Sequence, residues 1–142
     1  MEFVCEMPIR FGDIDQAGIV YAPNFLHYYH CAFEQFFGEA HGVPYSEWLR
    51  QRRVGFPTVQ VKAGFQVPLL YGDPLEIALT VPRIGSSSVD FRFEGRKKGQ
   101  LCAWSVDTKV CVNMDTLQSV PLPDDLVEVL GRHQPPTSES QS

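Results

Sequence analysis

Apolar and polar residues alternate with a period of two over much of the chain. Four segments carry their apolar residues at odd positions, namely Phe3 to Phe11, Val59 to Val67, Leu75 to Val81 and Val89 to Phe93. A fifth segment, Trp104 to Val112, carries them at even positions. Successive side chains of a strand point to opposite faces, so each segment is expected to bury one face. The pattern predicts five strands of an antiparallel sheet, with the last three in a meander.

One long helix is predicted from Pro23 to about Ala40. Its apolar residues cover most of the circumference and are Phe25, Tyr28, Tyr29, Ala32, Phe33, Phe36 and Phe37. Because a helix that is apolar nearly all round is buried, this one is expected at the centre of the fold. A short second helix is predicted over Tyr45 to Gln51. We therefore expect an α+β fold, a five-stranded antiparallel sheet packed around one long central helix.

The chain of 142 residues suits one domain, which we place at residues 1–130. Such a sheet leaves strand edges uncovered. Self-association that extends the sheet across two chains, as a dimer or a tetramer, would cover them. Residues 131–142, GRHQPPTSESQS, are polar and rich in proline, and a disordered tail is expected there.

The net charge of −5 argues against nucleic acid and anionic membrane surfaces as partners, because both require a basic footprint. Gln16 to Phe33 lacks acidic and basic side chains, but glycine, proline, asparagine and histidine interrupt it, so no membrane insertion is expected. The four cysteines show no CxxC spacing and no secretory leader is apparent. These features predict a cytoplasmic protein with reduced thiols.

The sequence DIDQAG, Asp13 to Gly18, falls between the first strand and the long helix. A carboxylate beside the free N–H groups of a helix start could attack an activated acyl group, or activate water, while the N–H groups stabilise the carbonyl oxygen. The alternative is that Asp13 and Asp15 only form a turn. No further acidic cluster lies nearby, so no metal site is predicted.

Other candidate groups lie elsewhere in the chain. His27 and His30 precede Glu34 on the predicted helix and could form a proton-shuttle pair, although buried histidines usually have a structural role. No Gly-x-Ser-x-Gly motif occurs, so a serine nucleophile is not expected. Arg83 and Lys97 could bind phosphates, or could simply keep turns soluble.

The segment RFGDIDQAGIVYAPNFLHYYHCAFEQFF, Arg10 to Phe37, resembles the signature of the hotdog-fold 4-hydroxybenzoyl-CoA thioesterase-like family. Weaker similarities continue through Phe56-Pro57 and the run Tyr71 to Ile77. The resemblance implies a hotdog fold, in which a sheet wraps a central helix and two subunits build sites at their interface. It also implies hydrolysis of an acyl-CoA, with coenzyme A as part of the substrate and no other cofactor.

By position, Asp15 resembles the catalytic aspartate of that family, a nucleophile or general base. The backbone N–H of Ala22 matches the group that polarises the thioester carbonyl, and Gly18 to Tyr21 shape the turn. One branch of the family carries a histidine where this chain has Ala22. Glu34 is the second candidate base, because other hotdog thioesterases use a glutamate on the helix.

In the 4-hydroxybenzoyl branch, a turn rich in arginine and lysine contacts the coenzyme A nucleotide. This chain has Gly85 to Ser88 there, so Arg83, Ser87 and Lys97 are the candidates for binding the nucleotide. The apolar residues expected to line the acyl pocket are Tyr21, Phe25, Tyr28 and Phe56.

The expected function is hydrolysis of an aromatic or short-chain acyl-CoA, with an acyl carrier protein as an alternative thioester donor. Two other functions stay open. One is a 3-hydroxyacyl-thioester dehydratase that uses His27 or His30 with Glu34. The other is a non-catalytic acyl-thioester binding protein.

Overall fold

The computed structural model describes residues 1–20 and 23–135. Its strands are β1 Phe3–Pro8, β2 Val54–Gly55, β3 Thr58–Phe65, β4 Pro74–Ile84, β5 Ser88–Lys97, β6 Gln100–Val110 and β7 Val112–Asn113. Its α-helices are α1 Pro23–Phe36, α2 Tyr45–Glu47 and α3 Asp124–Arg132. A 3₁₀ turn covers Phe11–Asp13, and π-helical turns over Phe37–His41 and Trp48–Arg52 extend α1 and α2.

Five strands form the main sheet in the order β1-β4-β5-β6-β3, with every neighbouring pair antiparallel. The predicted five-stranded antiparallel sheet with one long helix is confirmed. Strands β4, β5 and β6 form the predicted meander because only short turns separate them. The small strands β2 and β7 pair with each other outside this sheet.

Helix α1 packs its aromatic residues on one face of the sheet. The ring of Tyr29 stacks on Phe93 at 5.2 Å between centroids, and Phe33 meets Phe91 edge to face at the same distance. Gly42, with φ of +98°, ends the helical run in the left-handed conformation that glycine adopts at no steric cost. Within residues 1–20 and 23–135, no helix has the length and apolar character needed to cross a membrane.

The inward face of β6 differs from the prediction. The alternation pattern places Trp104, Val106, Thr108 and Val110 inside, but these are only half-buried. Ser105, Asp107 and Lys109 are buried instead. Asp107 lies opposite Phe91 and Ser105 lies opposite Phe93, so the polar side chains share the face of those two aromatic residues. The pairing with β5 therefore overrides the apolar pattern of β6 itself.

The edge strand β3 is also more exposed than its alternation suggests. Val61, Ala63 and Phe65 pair with inward residues of β6, so they point to the side of the sheet that carries α1. Even so, Val59, Val61 and Phe65 remain 60%, 42% and 51% exposed. Helix α1 covers the β3 edge only in part, which leaves these apolar side chains largely uncovered in the single chain.

The chain is ordered beyond the predicted domain end at residue 130. In α3, Leu126, Val129 and Leu130 are buried at the spacing of one helix face. The next buried residue, His133, accepts a hydrogen bond from Val81 through its backbone carbonyl. The predicted tail therefore begins inside this packed segment, and its remainder, residues 136–142, lies outside the described residues.

Replacing Leu126 by alanine tests the packing of α3. Leu126 is fully buried, whereas its neighbour Val127 is 36% exposed. We expect Leu126→Ala to lower the free energy of unfolding by about 2–5 kcal/mol, since it removes buried methyl groups and leaves a cavity. Val127→Ala is the matched control, with an expected change within about 0.5 kcal/mol. Urea unfolding of both variants measures the difference, and equal effects would contradict the packing described for α3.

Candidate active site

Asp15 lies at the start of a tight turn between β1 and α1. Its N–H donates to the carbonyl of Ile19 at 2.9 Å, and its carbonyl accepts from the Gly18 N–H at 3.0 Å. Gly18 has φ of +83°, a value that favours glycine. The carboxylate takes part in the turn as well, because Oδ1 accepts a hydrogen bond from the Ala17 N–H at 2.9 Å.

A turn-forming role and a catalytic role for Asp15 are therefore compatible. One carboxylate oxygen, Oδ1, fixes the side chain as the turn-forming interpretation requires. The other, Oδ2, has no hydrogen-bond partner within residues 1–20 and 23–135. Because Asp15 is exposed, its side chain is accessible to a bound molecule.

Asp13 attaches the turn to the helix. Its Oδ2 accepts hydrogen bonds from the Arg10 N–H at 3.0 Å and from the Tyr28 hydroxyl at 2.8 Å. Its carbonyl accepts a further bond from the Asn24 side-chain amide at 2.7 Å. Burial, followed by the hydrogen bond to Asp13, raises the pKa of Tyr28, so its hydroxyl stays protonated and able to donate. Asp13 thus has a structural role in holding the segment that carries Asp15.

The other end of the turn is attached to the loop that follows β3. The Val20 N–H donates to the Leu69 carbonyl at 2.7 Å, and Ile19 forms a bridge with Leu70. Asp15 is therefore held between α1 on one side and the β3–β4 connection on the other.

A cavity of about 510 Å³ opens beside the Asp15 carboxylate. Its lining residues are Asp15, Ile19, Val20, Phe25, Phe65, Gln66, Val67 and Pro68. The rings of Phe25 and Phe65 lie 5.5 Å apart between centroids and form an aromatic wall. The arrangement of one carboxylate beside a mostly apolar cavity is typical of a site for a small molecule with a reactive polar group and an apolar part. We call it the Asp15 cavity.

The predicted acyl-pocket residues divide between the cavity and the core. Phe25 lines the Asp15 cavity. Tyr28 binds Asp13, and Phe56 is buried against Phe37 and Trp48 away from the cavity. Tyr21 and Ala22 lie outside the described residues. The lining residues that the sequence interpretation missed are Ile19, Val20 and Phe65 to Pro68. Of these, Phe65 and Val67 carried a signal, as apolar residues of a predicted strand.

The predicted nucleotide-binding residues lie at two ends of the sheet. Lys97 forms an ion pair with Asp73 at 3.0 Å, and the same carboxylate accepts from the N–H of Leu70, which pairs with Ile19. Arg83 forms an ion pair with Asp90 at 3.0 Å, near Ser87. This pair lies at the opposite end of β5 from Lys97, roughly 30 Å away by the length of the strand. Within one chain, only Lys97 lies near the Asp15 turn.

A cavity of about 540 Å³ lies at the β1 edge, beside Glu6, Asp73 and Arg96. It is slightly larger than the Asp15 cavity. Arg96 is already paired with Glu2 and Glu94. The lining also includes Glu6 and Glu76 beside Met7 and Leu75, but it has no aromatic side chain and no part of the turn before α1. We therefore place the chemistry in the Asp15 cavity.

The helix histidines do not pair with Glu34. Among the described residues, His27 contacts the sulfur of Cys31 at 3.7 Å, and neither histidine forms a hydrogen bond or ion pair with Glu34. Glu34 is exposed on α1, about 16 Å along the helix from Pro23. The pairing of His27 or His30 with Glu34 that the dehydratase alternative requires is therefore not formed among the described residues. Nor do those residues contain a group of three or more side chains suited to a metal ion.

Comparison with known proteins identifies the family. The model of the thioesterase-like superfamily matches residues 9–130. A 1,4-dihydroxy-2-naphthoyl-CoA hydrolase of Nostoc punctiforme is 30% identical over 130 residues, which are 92% of this chain and 87% of that protein. A protein of the same name from Synechococcus elongatus is 33% identical over 125 residues, 86% of this chain and 90% of that protein.

Solved structures agree with these relatives. A thioesterase superfamily protein from Jannaschia sp. CCS1 superposes with a TM-score of 0.88 at 27% identity, over 94% of each chain. A gentisyl-coenzyme A thioesterase superposes with a TM-score of 0.80 at 30% identity, over 88% of this chain and 99% of that one. The predicted hotdog fold and thioester hydrolase activity are confirmed. The chain belongs to the thioesterase-like superfamily.

Proposed function

We propose that this thioester hydrolase cleaves an aromatic acyl-CoA, with Asp15 as the catalytic residue. The observation that carries the proposal is the position of the Asp15 carboxylate, which keeps one oxygen without a hydrogen-bond partner among the described residues. Its Oδ1 is held by the Ala17 N–H, while the rest of the carboxylate borders a cavity with the aromatic wall of Phe25 and Phe65. Glu34 lines no part of that cavity, so Asp15 is preferred as the base.

The carboxylate can act in two ways. As a nucleophile, it attacks the thioester carbon, the carbon–sulfur bond breaks, the thiolate leaves and takes up a proton, and water hydrolyses the resulting anhydride. As a general base, it removes a proton from a water molecule whose oxygen attacks the same carbon; the carbon–sulfur bond then breaks, and the thiolate leaves and takes up a proton. In both cases the carbonyl oxygen gains negative charge, and the N–H of Ala22 is the proposed donor to it.

An aromatic acyl group fits both the cavity and the relatives. Phe25 and Phe65 provide faces and edges on which an aromatic ring packs well. The relatives named above are, by name, hydrolases of naphthoyl-CoA and gentisyl-CoA substrates. Coenzyme A is the proposed thiol, and an acyl carrier protein is the alternative that the assays below distinguish.

We further propose that two chains associate through their β3 strands. β3 is an edge strand, and its exposed residues Val59, Val61 and Phe65 form an apolar strip. Exposed apolar edges pair readily with a second strand. Antiparallel pairing of two β3 strands would extend the sheet across two chains and cover this strip.

Replacing Asp15 by asparagine tests the catalytic assignment. Asparagine keeps the acceptor for the Ala17 N–H but can neither attack the thioester nor accept a proton. We expect kcat/KM for aromatic acyl-CoA substrates to fall at least ~10²-fold, with the unfolding temperature unchanged. Thiol release from acyl-CoA and acyl carrier protein substrates, followed with a thiol reagent, measures the effect.

Two further variants are needed to interpret the effect of Asp15→Asn. Asp124→Asn removes an exposed carboxylate at the start of α3 and is expected to keep full activity. Glu34→Gln separates the two candidate bases. If Asp15→Asn kept most of the activity and Glu34→Gln lost it, Glu34 would replace Asp15 as the base. Enoyl formation from a 3-hydroxyacyl-CoA without thiol release would instead indicate a dehydratase.

Replacing Val59 by glutamate tests the β3 contact. Val59 is 60% exposed and lines neither the Asp15 cavity nor the other described cavities, so catalysis within one chain is not directly altered. Two buried like charges across a symmetric contact cost several kcal/mol, so we expect mostly monomer. Sedimentation velocity measures the change, with Val127→Glu on α3 as the matched control. An unchanged dimer in Val59→Glu would exclude β3 as the contact.

A further inference from the structure

Two large aromatic side chains lie exposed beside each other near the turn that carries Asp15. Phe11 begins the 3₁₀ turn after β1 and is 72% exposed, and Tyr71 precedes β4 and is 59% exposed. Their rings meet edge to face at 5.8 Å between centroids. Single exposed apolar residues are common on protein surfaces, but a contiguous patch usually marks a binding surface. We call this pair the Phe11–Tyr71 platform.

Both rings are carried by turns that internal hydrogen bonds close. In the turn that carries Tyr71, the Asp73 N–H donates to the Leu70 carbonyl at 3.0 Å. The Asp73 carboxylate accepts from the Leu70 N–H at 2.8 Å. The 3₁₀ turn that begins with Phe11 is closed in the same way by the N–H and the carboxylate of Asp13. The platform is therefore preorganised, which lowers the entropy lost when a ligand packs on it.

The platform is continuous with the Asp15 cavity. Ile19 lines that cavity and forms a bridge with Leu70, which directly precedes Tyr71. Leu70 is 46% exposed and Ile19 is half-buried, so apolar surface extends from the cavity to the platform. The distance is roughly 10 Å, the sum of one strand spacing and one residue step. The arm of a thioester whose carbonyl lies at Asp15 can follow this apolar surface.

Positive charge lies beside the platform. Lys97 and Lys98 belong to the β5–β6 turn, and Lys97 forms the ion pair with Asp73. The hydrogen bond from Leu70 is the main cause that lowers the pKa of Asp73, and the charges of both lysines lower it further. Lys98 and Arg10 are exposed, and neither forms an ion pair in the described part of the chain. Two positive charges therefore remain available on this surface.

The carboxylates near Lys98 leave its ammonium group free. Asp73 is bound by Lys97 at 3.0 Å. Glu6 and Glu76 line the cavity at the β1 edge together with Lys98, but among the described residues neither forms an ion pair with it. An ammonium group has three donors, so Lys98 can bind an anionic group such as a phosphate.

We propose that the Phe11–Tyr71 platform binds the adenine of coenzyme A and that Lys98 contacts its phosphates. This inference rests on the proposed function. The adenine stacks on the ring of Tyr71, and Phe11 packs against that ring and fixes its orientation. The pantetheine arm runs back over the apolar surface to the thioester carbonyl at Asp15.

The proposal distinguishes two kinds of thioester. Coenzyme A carries an adenine nucleotide at the end of its pantetheine arm, whereas the arm of an acyl carrier protein is attached to a protein and has no base. Loss of one base that stacks on an aromatic side chain weakens binding roughly 5- to 150-fold. We therefore expect an acyl-CoA to be preferred over the same acyl group on pantetheine by at least ~10-fold in kcat/KM.

The test compares gentisyl-CoA with S-gentisyl-pantetheine, which has the same thioester and arm but no nucleotide. In Tyr71→Ser, we expect KM for gentisyl-CoA to rise at least ~5-fold with kcat unchanged, because a contact remote from the thioester stabilises ground state and transition state equally. The value of kcat/KM for S-gentisyl-pantetheine should stay within ~2-fold. Tyr71→Phe keeps the ring and should keep the KM of the wild type.

Replacing Lys98 by glutamine tests the phosphate contact. We expect KM for gentisyl-CoA to rise and its dependence on salt concentration to weaken, because one charge that salt screens is lost. S-gentisyl-pantetheine carries no phosphate, so its kinetics should not change. Arg132→Gln is the matched control, since it removes a positive charge on α3 that is paired with Glu128. It should leave both substrates unaffected.

Two further measurements complete the test. Leu117→Ser is the matched control for Tyr71→Ser, because Leu117 is 71% exposed and lines none of the described cavities. It should leave KM unchanged. Calorimetric titration of free coenzyme A into Asp15→Asn, with and without Tyr71→Ser, measures binding without hydrolysis. We expect at least ~5-fold weaker binding in the double variant.

The outcomes separate this inference from the proposed function. Equal kcat/KM of the wild type for both thioesters, or equal losses for both in Tyr71→Ser, would show that the platform does not bind adenine, while Asp15 catalysis stands. A smaller oligomer of Tyr71→Ser in sedimentation velocity would identify the platform as a contact between chains and overturn the inference. If no aromatic acyl-CoA released thiol but Tyr71→Ser still weakened the binding of coenzyme A, the proposed function would fail and the adenine site would stand.

Discussion

The register between β5 and β6 decides which side chains meet the central helix. Phe91 and Phe93 must face α1, because the rings of Phe33 and Tyr29 pack on them. Their direct partners on β6, Asp107 and Ser105, are carried to the same face. A slip of one residue would bury Trp104 and Val106 instead, since the side-chain period of a strand is two. The same β5–β6 register therefore fixes both the aromatic core and the buried polar face of β6.

Helix α1 links this core to the turn that carries Asp15. Its buried face contacts the sheet, while its first two turns supply Asn24 and Tyr28, both of which hydrogen-bond to Asp13. Asp13 lies two residues before Asp15 in the chain. The position of the Asp15 carboxylate therefore follows from packing in the core, although the residue itself is exposed. This division explains why DIDQAG contains two aspartates with different roles.

Long periodic elements could be predicted from the sequence, because alternation or helical spacing extends over many residues in each. The strand count, the antiparallel order of the meander and the buried α1 depend on such patterns. The inward face of β6 could not be predicted, because it depends on the partner strand and not on its own alternation. The first part of the tail was misjudged for a simpler reason. Its polar composition obscured the spacing of Leu126, Val129 and Leu130 just before it.

The site was predictable in part. Asp15 could be selected because a carboxylate beside a helix start has a chemical use, and the family resemblance pointed to the same residue. Gln66, Val67 and Pro68 could not be assigned to the cavity, because the alternation that continues to Val67 indicates a strand but not which element the end of that strand approaches. Phe56 failed as a pocket residue because the aromatic cluster around Phe37 and Trp48 buries it.

The exposed strand β3 connects self-association with substrate binding. Phe65 lines the Asp15 cavity and is about half exposed in the single chain. A cavity with one wall open to water leaves its electrostatic groups partly solvated, which weakens their interaction with a bound ligand. The proposed pairing of a second chain along β3 would cover that wall and exclude water from the cavity. The apolar strip on β3 would then serve catalysis as well as assembly.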